Sequence, residues 1–102
     1  MLALRPNCEL CDKDLPPAST EAMICSYECT FCRGCVEDVL SNVCPNCGGG
    51  FAQRPIRPAK AWRKGTGLQN HPASTKRVHA KYSEKELRDF AAGIAHLPPE
   101  ER

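Results

Sequence analysis

Apolar residues along this chain fall in short clusters, with one regular stretch near the C-terminus. Met23-Ile24-Cys25-Ser26-Tyr27 and the nearby Thr30-Phe31 have the β-branched and aromatic content of short strands. Val36, Val39 and Leu40 follow closely, at the spacing of a short helical turn. Leu87, Phe90, Ala91, Ile94 and Ala95 recur at i, i+3, i+4, i+7 and i+8, which predicts an amphipathic helix over 83–97. Ser83 followed by Glu86 fits a capping box at its start, and Pro98-Pro99 end it. Gly93 inside that stretch costs roughly 1 kcal/mol relative to alanine. So short a helix is marginal alone and needs a surface to pack on. The expected surface is the first half of the same chain; the alternatives are a partner protein or a second copy.

Residues 54–82 show no apolar period and contain Pro55, Pro58, Gly65, Gly67 and Pro72. They read as an extended arm or a solvated linker. The predicted organisation is therefore a domain at 1–53, an arm at 54–82, a helix at 83–97 and a tail at 98–102. No apolar run approaches the length of a membrane-spanning helix.

Composition shows how the first domain must be held together. Phe, Tyr and Trp make up only 6% of the 102 residues, too few for a conventional core in a chain this small. Eight cysteines, all within 8–47, are the available staple. Disulfides would need an oxidising compartment. Met1–Arg5 and Pro6 leave no room for an apolar export segment before the first cysteine, so the expected location is cytoplasmic and the expected role of the cysteines is metal ligation.

The ligand string is Cys8-x2-Cys11-x13-Cys25-x3-Cys29-x2-Cys32-x2-Cys35-x8-Cys44-x2-Cys47. Each C-x2-C turn offers two thiolates about one tetrahedral edge apart, so eight cysteines make two closed four-thiolate zinc sites. A closed site leaves no position for substrate water, which argues for two structural Zn2+ ions rather than metal catalysis. The element order, a knuckle, a hairpin, then a cysteine pair opening a helix, is that of a treble clef. It predicts zinc one on Cys8, Cys11, Cys32 and Cys35, and zinc two on Cys25, Cys29, Cys44 and Cys47. The rival, sequential pairing would have Cys44 and Cys47 lead into a helix, but Gly48-Gly49-Gly50 follows instead. The expected fold is a small, metal-stabilised α+β domain with cross-braced sites.

The span 8–47 resembles the RING finger in an all-cysteine form. Cys29-Thr30-Phe31-Cys32-Arg33-Gly34-Cys35 is similar to that family's ligand-x-Phe-Cys-x-x-Cys stretch, and Cys44-Pro45-Asn46-Cys47 to its terminal Cys-Pro-x-Cys. The resemblance implies a shallow apolar groove for a protein partner, formed by Leu10, Val39, Leu40 and Pro45. Two departures argue against ubiquitin-ligase activity. Gly48 stands where active ligases often carry a basic residue, and the intervening helix lacks a large aromatic. Leu4-Arg5-Pro6-Asn7-Cys8, Ile24–Cys32 and Val43–Gly49 are also similar to a small bacterial cysteine-rich family of unknown function, with Asn70–Val78 a further part of the likeness.

Charge adds a second candidate chemistry. Residues 1–50 carry a formal −4, residues 51–82 carry eight basic side chains and no acid, and residues 83–102 carry −2. Arg54, Arg57, Lys60, Arg63 and Lys64 could release counterions from a nucleic acid, with Trp62 stacking on a base. The three histidines, His71, His79 and His96, are not needed as ligands because the thiolates already fill both sites. No catalytic triad, phosphate-binding glycine loop or carboxylate pair is present in the pattern. The expected function is a non-enzymatic, zinc-binding protein-interaction module. Nucleic-acid binding through the arm is the alternative, followed by a zinc-thiolate redox switch.

Overall fold

The computed structural model describes residues 1–102. A three-stranded antiparallel sheet in the order β2-β1-β3 lies at its centre, built from β1 (Ala22–Ile24), β2 (Thr30–Cys32) and β3 (Ala52–Gln53). β1 and β2 form a hairpin with Met23 opposite Phe31, and β3 returns to pair Ala52 with Ile24. The sequence pattern extends the first strand to Tyr27, but the chain turns at Cys25. There the Glu28 N–H donates to the Cys25 carbonyl at 3.0 Å, with Glu28 at φ 66°. A three-residue excursion between two cysteines is a turn, so the strand stops where the cysteines begin.

β2 runs directly into a helical turn, α1 (Arg33–Cys35), which widens into a π-helical turn at Val36–Leu40. Val36 and Leu40 point into the core, and Val39 is half-buried. Ser41 and Asn42, both at positive φ, end the segment.

Only 21 of 102 residues are buried, so apolar packing alone is thin. Five of the eleven residues in the core cluster are cysteines (Cys8, Cys25, Cys29, Cys32 and Cys44). Phe31 supplies the largest apolar side chain there and meets Phe51 edge-to-face at 5.5 Å.

The C-terminal helix α2 spans Glu84–Ala92, with both halves of the capping box formed between Ser83 and Glu86. It is shorter than the predicted 83–97. Gly93 is its C-cap, beyond which the Ile94 N–H reaches back three residues and the Ala95 N–H four, both to the Ala91 carbonyl. α2 packs in cis: Leu87 joins the core cluster with Val36 and Leu40, and Arg88 donates to the Asp38 carbonyl at 3.0 Å. Of its predicted apolar face, Leu87 and Ala91 are buried, Ile94 is half-buried, and Phe90 and Ala95 are exposed.

The arm corrects the sequence reading most. Residues 54–82 contain no helix or strand, as an arm would, but they are not free of the first half. They lie along the first half of the chain and are fastened at several points. Arg57 donates to Leu2 and His71 carbonyls, and the Ser74 N–H donates to Ala3 and Leu4. The buried Asn7 side chain meets Val78 as a strand would, donating to its carbonyl at 2.8 Å and accepting from its N–H at 3.2 Å. The Ala80 N–H donates to the Glu9 carbonyl, and Arg77 clasps Asp12 and Asp14.

Candidate metal centres

The C-x2-C turns at Cys8–Cys11 and Cys44–Cys47 are built alike. Cys8 N–H donates to Lys13 O and Asp12 N–H to Cys8 O, both at 2.9 Å. Cys44 N–H donates to Gly49 O at 2.8 Å and Gly48 N–H to Cys44 O at 2.7 Å. In each turn the residue after the second cysteine has positive φ, Asp12 at 64° and Gly48 at 78°. This reverses the chain so that both sulfurs face one point. Glycine occupies the second position without strain; the aspartate at the first is a residue type that tolerates it.

The structure brings Cys8, Cys11, Cys32 and Cys35 together, with all four sulfurs within 4.8 Å of one another. Cys11 Sγ and Cys32 Sγ are 3.7 Å apart. A tetrahedron with metal–sulfur bonds of about 2.3 Å has edges of about 3.8 Å, whereas a disulfide needs about 2.05 Å. The eight cysteines are free thiols. Cys32 ends β2 and caps α1, its sulfur accepting from the Cys35 N–H at 3.5 Å.

The second cluster is Cys25, Cys44 and Cys47, again within 4.8 Å of one another. Cys29 lies outside this three-way set but beside Cys25 and Cys44, whose thiols perturb it. Its sulfur accepts from Asn46 Nδ2 at 3.4 Å. Tyr27 N–H donates to Cys25 Sγ at 3.3 Å and Gly49 N–H to Cys47 Sγ at 3.4 Å. Two cysteine clusters that could hold metal ions are thus present, of four and three sulfurs, with an eighth adjoining the second.

Burial and mutual crowding shift the thiols of both clusters. Burial, followed by crowding from Cys32 and Cys8, pushes the Cys35 thiol far above its ordinary value. Burial does the same at Cys44, reinforced by Cys29 and Cys25 and opposed by the Asn46 and Cys47 backbone N–H groups. Burial also raises Cys8 and Cys29. At Cys11 burial is outweighed by the Lys13 N–H and neighbouring thiols, and the group is lowered. Several thiolates cannot share so small a volume without a compensating cation, and zinc is the borderline-soft ion such donors suit.

The residues predicted to form a partner groove are differently placed. Leu40 and Pro45 are buried, and Leu10 and Val39 are half-buried. Helix α2 is the reason: Leu87 packs with Leu40, and Pro45 faces Tyr82, Glu86, Leu87 and Phe90 across a cleft of about 220 Å³. The chain covers this surface with its own helix.

The predicted nucleic-acid residues divide in two. Arg54 is 1% exposed, and its guanidinium donates to the carbonyls of Arg5, Leu15 and Pro16 at 2.9–3.1 Å. Arg57 is likewise spent on Leu2 and His71 carbonyls. These two are structural cations, which corrects their assignment as candidates for phosphate contact. Lys60, Trp62, Arg63 and Lys64 are exposed.

Sequence reasoning missed Asn46 at the second cluster and the Arg5–Glu9 pair beside the first knuckle. Glu9 is 3% exposed and accepts from Arg5 at 2.8 Å and from the Thr30 N–H at 2.6 Å, tying the first knuckle to β2. The usable signal was an acid directly beside a ligand, in Cys8-Glu9, and a basic residue four positions before it.

Among known proteins, a family described as "Protein of unknown function (DUF1272)" matches residues 1–57. An uncharacterised protein, R02474, of Rhizobium meliloti (strain 1021) is 59% identical over 78 residues, covering 76% of this chain and 86% of its own length. No solved structure matches. With more than half of its length matched, and a relative this similar, the chain belongs to the DUF1272 family.

Proposed function

We propose that this protein is a non-enzymatic scaffold held by two structural zinc ions, cross-braced in the manner of a RING-like treble clef, and working as a binding module in the cytoplasm. The observation that carries the reading is the meeting of Cys8 and Cys11 with Cys32 and Cys35, while Cys25, Cys44 and Cys47 gather separately. The two sets alternate along the chain, so each metal closes a loop that the other also spans. Cys29 is assigned as the fourth ligand of zinc two, because it lies beside Cys25 and Cys44 and one short turn from Cys25.

Four thiolates per ion leave no open coordination position, which supports a structural role. Ligase-like activity is not proposed, since α2 lies over the surface a conjugating enzyme would use. Full-length protein is expected to discharge no loaded conjugating enzyme. For the same reason the binding face must lie away from Leu40 and Pro45.

The test is metal stoichiometry combined with one ligand change. Purified protein should carry two zincs, and Cys29→Ser should lose one and loosen the other, seen as faster chelator extraction of the remaining ion. Loss of one zinc with the other held as tightly as before would show two independent sites and overturn the cross-brace.

A further inference from the structure

The exposed part of the basic segment is a closed loop. Leu68 N–H donates to Pro58 O at 2.9 Å, and Arg57 ties the far end through His71 O at 2.7 Å. Residues 58–71 thus form a compact loop whose ends meet, of the kind that is frequently functional. Within it, Thr66 and Arg63 exchange hydrogen bonds in both directions, and Asn70 Nδ2 donates to Thr66 O at 2.8 Å. Gly67, at φ 85°, lies against the Lys60 backbone so closely that a Cβ would sit 2.6 Å from the Lys60 carbonyl oxygen. Only glycine satisfies both conditions, and this contact fixes where Lys60 starts.

This framework holds up Trp62, the only tryptophan of the chain, 77% exposed. Lys60 Nζ stands over its ring at 5.9 Å from the centroid. One face of the indole is therefore partnered by a cation, and the side chain stays largely exposed to a ligand. Arg63 and Lys64 follow directly, and neither they nor Lys60 are paired with a carboxylate; the segment 51–82 contains none. An exposed tryptophan of this size is not required by the fold, since Trp62 makes no part of the core.

We propose that the 58–71 loop is a binding site for single-stranded nucleic acid, with a base stacked on the exposed indole of Trp62 and phosphates held by Lys60, Arg63 and Lys64. Base stacking needs one flat ring and is indifferent to base identity, and flanking cations track the backbone. A bilayer would need a broader apolar surface to enter, and the residues flanking Trp62 are alanine, arginine and lysine. This goes beyond the zinc scaffold, and the two ideas fail separately: metal content tests one, oligonucleotide binding by fully metallated protein the other.

The experiment uses the full-length zinc-loaded chain and a labelled oligouridylate of about 12 nucleotides, a length in the range of single-strand binding sites. Anisotropy of the label measures binding, and quenching of intrinsic fluorescence reports on Trp62 itself. Parallel arms use a duplex of the same length and vesicles of phosphatidylglycerol and phosphatidylcholine. Saturable quenching is expected, with an affinity that falls with salt at a log–log slope of about −2 for three phosphate contacts. Trp62→Leu should weaken binding about 5- to 100-fold and Trp62→Phe much less. Arg63→Glu with Lys64→Glu should abolish it. All variants lie on exposed positions and should keep both zincs and the parental circular dichroism. No binding at low salt, binding indifferent to Trp62→Leu, tighter binding to duplex, or response to vesicles alone would each overturn the proposal.

Discussion

Arg54 shows how one residue can change meaning between sequence and structure. In the sequence it opens a run of eight basic side chains and reads as one more surface charge. In the fold it is buried with no carboxylate beside it, and burial lowers its pKa from the usual guanidinium value. Arginine tolerates this because its planar fork serves several carbonyls at once. Those of Arg5 and of the adjacent Leu15 and Pro16 come from two places, 38 to 49 residues away, that no local pattern connects to it. Arg54→Ala is expected to destabilise the protein by about 3–5 kcal/mol, because buried carbonyls lose their donor and a cavity opens. Arg54→Lys should rescue little, since an ammonium cannot span the three acceptors. Urea unfolding of the zinc-loaded variants measures both. Asn7 acts similarly: Asn7→Ala removes both hydrogen bonds to Val78 and should cost about 1–3 kcal/mol. Hydrogen exchange at Val78 and Ala80 should rise before exchange at β1.

At the scale of elements, what was local was legible. The cysteine spacing located both knuckles, and Ser83 with Glu86 located the start of α2. The stop of α2 was misread because two prolines at 98–99 are a stronger signal than one glycine, yet the chain leaves the helix at Gly93. The early exit has a use. It lets the short 3-10 turn at Pro99–Glu101 reach Gly50, whose Cβ position is 2.9 Å from Pro99, and lets Arg102 donate to Asn42 and Gly48 carbonyls. The C-terminal segment thereby grips the second knuckle. Leu87→Ala should cost about 2–5 kcal/mol, the range for a buried leucine. Ser83→Ala should cost about 1 kcal/mol, the usual loss of an N-cap. Chemical denaturation that gives equal losses for the two would mean that α2 does not pack on Leu40.

Across the whole molecule, cysteines fill five of the eleven core positions, where bigger domains place large apolar side chains. Structural zinc binding of about 10–16 kcal/mol per site compares with about 5–15 kcal/mol for the net stability of an ordinary domain. Metal capture should therefore decide whether residues 8–47 fold. The grouping of seven of the eight cysteines into two clusters was legible because spacing encodes the turns. The covering of Leu40 and Pro45, and the wrapping of residues 54–82, were not. They depend on pairs such as Arg57 with Leu2 and Asn7 with Val78, 55 and 71 residues apart, which no local periodicity registers. Native mass spectrometry of the full-length protein, with circular dichroism followed through stepwise chelation, tests the central claim most directly. The expected result is two zincs per chain and loss of structure as they are withdrawn. A chain that remains folded without metal, or whose sulfurs prove bonded to one another, would contradict it.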